Sequence, residues 1–143
     1  MNEQILEKMQ KMRLHGMARI FQNSLEKSGL KLLTPDEMVA HLVEAEWDDR
    51  YNRKLDRSLH RAHFRYKAAI EQIAFEENRA LDKNQVLRLA ECTFIKKKEN
   101  VLITGSTGVG KSFVASALGH QACSLGYKVM YSHSTKLFAK LKL

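Results

Sequence analysis

A glycine-rich segment at residues 105–112 has the residue types and spacing of a phosphate-binding loop. It reads Gly-Ser-Thr-Gly-Val-Gly-Lys-Ser and fits the pattern G-x-x-x-x-G-K-S/T. Glycine lets the backbone curl so that successive N–H groups face phosphate oxygens. The lysine of the pattern reaches the β and γ phosphates, and the hydroxyl that follows it can ligate Mg²⁺.

The loop therefore predicts a site for a nucleotide and Mg²⁺. The predicted nucleotide contacts are Gly105, Ser106, Thr107, Gly108, Val109, Gly110, Lys111 and Ser112. Ser112 is also the predicted ligand of Mg²⁺. The alternative interpretation is a glycine-rich turn that binds no ligand.

The segments on either side of the loop have the order that the motif requires. Residues 100–104 are a short β-branched apolar run, which predicts a strand leading into the loop. Residues 111–126 predict a helix leading out of it, so the phosphates would lie at a helix N-terminus. The inward side chains of this helix are predicted to be Phe113, Val114, Ala117, Leu118, Ala122 and Leu125.

The part of the chain after the loop lacks carboxylates. None of residues 113–143 is Asp or Glu. Phosphoryl transfer in P-loop proteins relies on an acidic residue that holds Mg²⁺ and on a group that orients water. We therefore expect the chain to bind a nucleotide without hydrolysing it alone, and its status as an enzyme stays open.

Composition indicates a soluble globular protein with an excess of positive charge. The chain has 143 residues, 44% of them hydrophobic and 28% charged, with a formal net charge of +8. It has no apolar run long enough to span a membrane and no signal-peptide core, which predicts a cytoplasmic protein. Cys92 and Cys123 have no nearby partner in sequence and are interpreted as reduced core residues.

The first half of the chain predicts helices. Apolar residues recur every three or four positions over residues 3–28, and Gly29 is a natural stop. Thr34-Pro-Asp-Glu37 forms a capping box with Pro at the first helical position, which predicts the start of a helix of about 30 residues. A third helix is predicted over residues 82–94.

The long helix carries a basic stripe. Arg50, Arg53, Arg57 and Arg61 follow one another at steps of three and four, as suits contact with the phosphate backbone of DNA. A solvated helix face is the equal alternative. For His60 and His63, contact with phosphate or plain exposure is favoured over metal binding.

Several of these segments together resemble one known family. They are Met12-Arg-Leu-His-Gly-Met-Ala18, Glu46-Trp-Asp-Asp-Arg50 with the basic helix, Ala68-Ala-Ile-Glu71, and the run from Asn100 through Ser112. In this order they resemble the IstB-like family, the ATP-binding helper proteins of insertion-sequence transposition. That family is similar in turn to the DnaC-type helicase loaders.

The resemblance implies an α/β fold with an N-terminal helical domain and the first part of an AAA+ P-loop NTPase domain. That part would run strand, P-loop, helix, strand. The implied domains are 1–67 with the basic helix, 68–99 as a connecting helical segment, and 100–143 as a truncated NTPase domain. In the AAA+ strand order 5-1-4-3-2, residues 101–104 and 129–132 would be strands 1 and 2, each without its neighbours.

The resemblance also implies cofactors and partners. These are ATP and Mg²⁺, double-stranded DNA, a cognate transposase, and a homo-oligomer of the full-length protein. Gly105, Gly108, Gly110, Lys111 and Ser112 match the nucleotide loop of the family, and the four arginines match its basic helix. Ile73 and Phe75 are candidates for the adenine pocket.

Family members continue through a Walker B strand, a sensor and an arginine finger. We therefore expect this chain to be an N-terminal fragment of such a helper, truncated after the Walker A half. Two alternatives stay open: a fragment of a DnaC-like helicase loader, and a non-enzymatic DNA or protein interaction module with a vestigial P-loop.

Overall fold

Helices are the regular elements of this chain in the computed structural model, which describes residues 1–26, 33–76 and 81–141. They are α1 (Asn2–Lys11), α2 (His15–Glu26), α3 (Pro35–Ala62), α4 (Lys83–Ala90), α5 (Thr93–Lys96), α6 (Lys111–Ser124) and α7 (Ser134–Leu141), with a 3₁₀ turn at Ile70–Gln72. The chain divides into two units, Met1–Lys54 and Leu55–Leu143. The domain boundaries expected after residues 67 and 99 stay predictions.

The first unit contains two short helices where the sequence predicted one. The single helix expected over residues 3–28 is wrong, because the chain turns between α1 and α2 at Arg13, whose φ is 59°. Leu14 N–H donates to Met9 O at 2.8 Å and so ends α1. The turn lets α1 and α2 contact each other, which buries apolar surface that one straight helix would leave in water. The predicted stop at Gly29 lies outside the described residues.

The start of α3 is as the sequence predicted. Thr34 N–H donates to Glu37 Oε2 at 2.7 Å, and Glu37 N–H donates to Thr34 Oγ1 at 3.3 Å. This is a reciprocal capping box, which satisfies backbone donors that the helix itself cannot pair. The hydrogen bond from the Thr34 backbone also lowers the pKa of Glu37.

The buried side of α3 is not the side that carries most of the apolar residues in the first half of the helix. Leu42 is half-buried, but Val39, Val43 and Trp47 are exposed, Trp47 to 74%. Glu46 is buried instead. A polar interaction made by Glu46, described below, therefore orients this part of the helix.

The core of the second unit gathers around α6. The buried residues of this cluster are Ala68, Ile70, Ile73, Val86, Ala117 and Leu118. The helix α6 contacts both the 3₁₀ turn and α4. The helix predicted over residues 82–94 is divided into α4 and α5 at Cys92, whose backbone is left-handed with a φ of 54°. These contacts hold the start of α6 in place behind the glycine-rich loop.

The predicted α/β fold is wrong, because the described residues contain no β-strand. No ladder joins residues 101–104 to residues 129–132. A strand needs a neighbour for its N–H and C=O groups, and neither segment has one among the described residues. Tyr131 N–H donates instead to Ala62 O at the end of α3, at 2.8 Å.

Two further features concern the whole described chain. Cys92 and Cys123 are free thiols, 0% and 3% exposed, so the prediction that both lie in the core is confirmed. Burial raises the pKa of each thiol, which disfavours the reactive thiolate. No helix in the described ranges is both long enough and apolar enough to cross a membrane.

Candidate functional site

The glycine-rich loop adopts a backbone that requires glycine at defined positions. Gly108 and Gly110 have φ values of 84° and 91°. A Cβ at either position would meet no atom within 4 Å, so the torsion angle, rather than lack of space, requires glycine there. Gly110 is the residue that precedes the first turn of α6. The loop thus turns directly into the helix N-terminus.

The polar atoms of the loop are arranged to receive an anion. Within the described residues, the backbone N–H groups of residues 106–112 donate no hydrogen bond. Lys111 Nζ lies 2.8 Å from Gly105 O and 2.5 Å from Ser106 O. An ammonium group has three donors, so two of them hold the loop and the third can bind an added acceptor. Ser112 is exposed beside it on the first turn of α6.

The helix behind the loop is firmly packed. Ala117 is 0% and Leu118 is 7% exposed, both within the core cluster of the second unit. Ser116 Oγ donates to Ser112 O at 2.8 Å, which adds a hydrogen bond to the first turn of α6. The N-terminus of α6, where the helix dipole is positive, is therefore held at a fixed place relative to the core.

The two residues proposed for an adenine pocket lie in or on this core. Ile73 is buried in the core cluster, at 6% exposure. Phe75 is half-buried and packs against the same cluster, with Lys83 Nζ 6.0 Å from its ring centroid. Part of the Phe75 side chain is therefore accessible to solvent, whereas the side chain of Ile73 is packed in the core.

The basic stripe of α3 is divided by its ion pairs, and Arg50 and Arg53 lie in the first unit. Arg50 Nε is 2.7 Å from Glu46 Oε1, and Arg53 Nη2 is 3.8 Å from the same oxygen. Arg53 Nε is also 2.7 Å from Asp49 Oδ2. These two guanidinium groups are therefore partly neutralised within their own helix.

Glu46 also joins α3 to α2. Its Oε2 accepts from Gly16 N–H at 2.9 Å and from Met17 N–H at 3.4 Å, at the N-terminus of α2. A carboxylate at that position satisfies unpaired helix donors and faces the positive end of the dipole. Burial would raise the pKa of Glu46, but the hydrogen bonds from Arg50, Met17 and Gly16 outweigh it, and the pKa is lowered.

We predict that Glu46 makes the stability of the first unit sensitive to acid. Since its folded-state pKa lies below the ordinary value of 4.5, its stabilisation is complete above that value and is lost as pH falls through the folded pKa. We expect Glu46→Gln to cost about 1–3 kcal/mol at neutral pH and to flatten this acid dependence. Thermal unfolding followed by circular dichroism between about pH 6 and pH 3 measures both effects. The exposed Glu44→Gln is the control. If Glu46→Gln lost as much stability between about pH 6 and pH 3 as the original chain does, the prediction would be contradicted.

Arg57 and Arg61 lie in the second unit, near the end of α3. Both side chains are exposed. Arg61 forms no ion pair with any carboxylate of the described residues. Its charge is thus available to solvent, unlike the charges of Arg50 and Arg53.

Two features of these sites were missed in the sequence. The pairs Glu46–Arg50 and Asp49–Arg53 have i,i+4 spacing, a signal that could have predicted their ion pairs. A cavity near the end of α3 also includes His120 of α6, which contacts the Tyr66 carbonyl. That contact joins residues 54 positions apart, and no local pattern could have indicated it.

Comparison with known proteins adds an independent finding. A sequence model of the family described as IstB-like ATP binding protein matches residues 7–143. The chain is 37% identical over 138 residues to y4pL of Sinorhizobium fredii, which is named for ATP binding in an insertion sequence; the match covers 96% of this chain and 56% of that protein.

Two further relatives carry names of the same kind. The chain is 33% identical to an insertion sequence IS1162 protein of Pseudomonas fluorescens, across 100% of this chain and 62% of that one. It is 28% identical to an insertion sequence IS21 protein of Pseudomonas aeruginosa, across 92% of this chain and 49% of that one. The chain thus spans about half to three fifths of the length of these relatives.

Proposed function

Since the chain belongs to the IstB-like ATP-binding protein family, we propose that it binds ATP with Mg²⁺ as part of a helper protein of insertion-sequence transposition. The names of its relatives support ATP binding and the insertion-sequence setting. The loop at residues 105–112 supports the place of binding. In this proposal the protein acts in the cytoplasm and contacts a transposase. The full-length protein forms an oligomer of identical copies.

The loop residues have separate roles in this proposal. The backbone N–H groups of residues 106–112 would surround the phosphate oxygens, and the positive end of α6 would face them. Lys111 would give its third donor to the outer phosphates, while its other two keep the loop closed. The Ser112 hydroxyl would hold Mg²⁺, which neutralises phosphate charge when bound.

One observation carries the nucleotide proposal. A run of backbone N–H groups that have no acceptor among the described residues lies at the N-terminus of a packed helix, beside a lysine bonded to the same loop. These residues are largely exposed, so water can satisfy the donors in the free chain, and phosphate oxygens could replace that water without breaking a hydrogen bond of the described residues.

Calorimetric titration of the chain with Mg²⁺-ATP is the direct test. Saturable binding is expected, and it should weaken when Mg²⁺ is removed, because the cation links the phosphates to Ser112. Absence of heat in a chain with an intact helical circular dichroism spectrum would contradict the proposal. We further propose that residues 1–143 by themselves bind the nucleotide without hydrolysing it, since none of residues 113–143 is an Asp or Glu that could hold the cation.

We also propose that the basic part of α3 contacts the phosphate backbone of double-stranded DNA. The net charge of +8 favours a polyanion, and Arg61 presents an unneutralised charge at the surface of the second unit. Such contacts give affinity without sequence preference. Arg50 and Arg53 would contribute less, because Glu46 and Asp49 already bind them.

The two kinds of arginine predict different effects on DNA binding. Arg61→Gln is expected to weaken binding several-fold and to reduce the slope of log affinity against log salt by about 1. Arg53→Gln is expected to change that slope by less than about half as much, because its charge is shared with carboxylates. Fluorescence anisotropy with a labelled duplex at several salt concentrations measures both slopes. Equal slopes for the two variants would contradict this division of the stripe.

A further inference from the structure

A cavity of about 700 Å³ lies in the second unit, near the end of α3. This volume falls within the range of cavities that accept small ligands, roughly 300–1,000 Å³. The side chains and backbone around it belong to α3, the segment that follows it, the 3₁₀ turn and α6. They are Asp56, Leu59, His60, His63, Phe64, Tyr66, Lys67, Ala68, Ala69, Gln72 and His120.

Three imidazoles could add positive charge to the cavity lining. Among its other ionisable side chains, Asp56 and Lys67 carry opposite charges, and Tyr66 carries a phenol. Histidine is the side chain that ordinarily changes charge between about pH 5 and pH 8. Protonation of the imidazoles would therefore make the lining more positive.

The neighbours of His120 favour one tautomer of its neutral ring. Its ring stacks on Phe64 with centroids 4.4 Å apart and planes 33° apart. His120 Nε2 is 3.2 Å from Tyr66 O, and because a carbonyl can only accept, Nε2 must carry a proton. The proton gained in acid therefore goes to Nδ1, which changes from an acceptor to a donor.

The stacked pair depends on close approach to α6. A Cβ at Gly119 would lie 2.5 Å from Phe64 Cε1 and 2.8 Å from its Cζ. The absence of that atom lets the Phe64 ring lie against the helix. His60 and His63 also line the cavity, with ring centroids 6.2 Å apart. Imidazoles from α3, the residue that follows it and α6 thus border one cavity.

The chemistry of this lining suits an anion better than a metal. In the described ranges, no group of three or more His, Cys, Asp or Glu is placed so that it could hold a metal ion. Protonated imidazoles and the Lys67 ammonium are instead donors of charge-assisted hydrogen bonds, which phosphate oxygens accept strongly. The cavity also lies on the unit that carries Arg57 and Arg61.

We propose that this cavity binds a phosphate group, and that protonation of His60, His63 and His120 increases its affinity. The phosphate can belong to the DNA backbone or to a free nucleotide. For the DNA source the inference rests on the proposed DNA binding and adds to it a phosphate subsite linked to pH. None of residues 105–112 lines the cavity, so the proposal is of a second phosphate site in addition to the loop.

Duplex DNA is the first probe, because its phosphodiesters keep one negative charge throughout the histidine range. We expect the chain to bind a labelled duplex of about 20 base pairs on the order of tenfold more tightly at about pH 5.8 than at about pH 7.8, at fixed ionic strength. The variant His60→Gln/His63→Asn should lose most of this difference. Asn is chosen at residue 63 because its φ of 54° is left-handed.

Two further variants separate charge from structure. His120→Gln keeps a donor for Tyr66 O but cannot gain a charge, so it should also reduce the pH effect. The control His15→Gln/His41→Gln removes two exposed histidines outside the cavity and should keep the effect. A pH effect that is absent in the original chain, or unchanged in both cavity variants, would overturn the proposal.

Imidazole NMR spectra with dimethyl phosphate and with AMP separate the two sources. Shifts of the His60, His63 and His120 signals with either small molecule, and not of His15 or His41, would support a phosphate site that needs no duplex. If the chain binds no duplex at either pH, the proposed DNA binding fails, and these spectra alone decide the cavity. No shift of these signals with either small molecule, together with no effect of pH on duplex binding, would overturn the phosphate site while leaving the proposed ATP binding at Lys111 intact.

Discussion

Lys111→Ala is expected to weaken Mg²⁺-ATP binding by on the order of 100-fold or more, which is loss of measurable binding in an ordinary titration. A hydrogen bond from an ionised donor contributes about 1.5–3 kcal/mol, and here the lysine acts twice. It would bind the outer phosphates, and it holds the loop by its bonds to Gly105 O and Ser106 O. Removing it therefore deletes a ligand contact and loosens the loop that presents the others.

The controls for this variant separate ligand binding from folding. Since both carbonyl acceptors are exposed, the variant should keep its helical spectrum and its stability to within about 1 kcal/mol. The exposed Lys128→Ala removes an equal charge away from the loop and should bind ATP as the original chain does. Titration calorimetry on the three proteins measures the difference. Wild-type affinity in Lys111→Ala would contradict the assignment of the loop.

The features predicted correctly from the sequence are local ones. The box formed by Thr34 and Glu37 depends on residues three positions apart, and the structure has both of its hydrogen bonds. The helix after Lys111 follows from apolar spacing within one segment. In each case the residues that decide the structure lie within a turn or two of each other, so their pattern is visible in the sequence alone.

The features that were wrong depend on distant partners. The apolar period over residues 3–28 continues across Arg13, and only the packing of α1 on α2 shows where the chain must turn. The run at residues 101–104 has strand composition, but strand formation depends on a neighbour to pair with. The burial of Glu46 likewise depends on a distant partner, Gly16 at the N-terminus of α2, which lies 30 residues earlier.

The same distinction applies to the candidate sites. The glycine-rich loop could be predicted as a candidate nucleotide site because its glycines, lysine and serine lie within eight consecutive residues, and the structure places the loop at one helix N-terminus. The basic stripe was predicted from arginines that recur at steps of three and four. That spacing alone did not show that Glu46 and Asp49 form ion pairs with two of these arginines. The histidine cavity could not be predicted, because only the tertiary fold brings His120 close to the other lining residues, which lie about 50 to 60 positions earlier in the sequence.

Gly16→Ala is expected to destabilise the first unit by about 2–4 kcal/mol. A Cβ at this position would lie 2.6 Å from the Ala45 carbonyl carbon and 2.7 Å from Glu46 Cα, and backbone atoms of a helix cannot move aside singly. The helix α2 would have to shift away from α3. That shift would also break the bond from Gly16 N–H to Glu46 Oε2, leaving a buried carboxylate poorly satisfied.

Amide hydrogen exchange measures this loss where it occurs. The amides of α2 should exchange on the order of 30-fold or more faster in Gly16→Ala, which is the exchange equivalent of about 2 kcal/mol, while those of α6 in the second unit should change little. The neighbouring exposed His15→Ala should leave both sets within about 0.5 kcal/mol of the original. Unchanged exchange in α2 would mean that the backbones do not need this close approach. Faster exchange in α2 alone would show that the close approach at Gly16 and the buried carboxylate of Glu46 together hold α2 against α3.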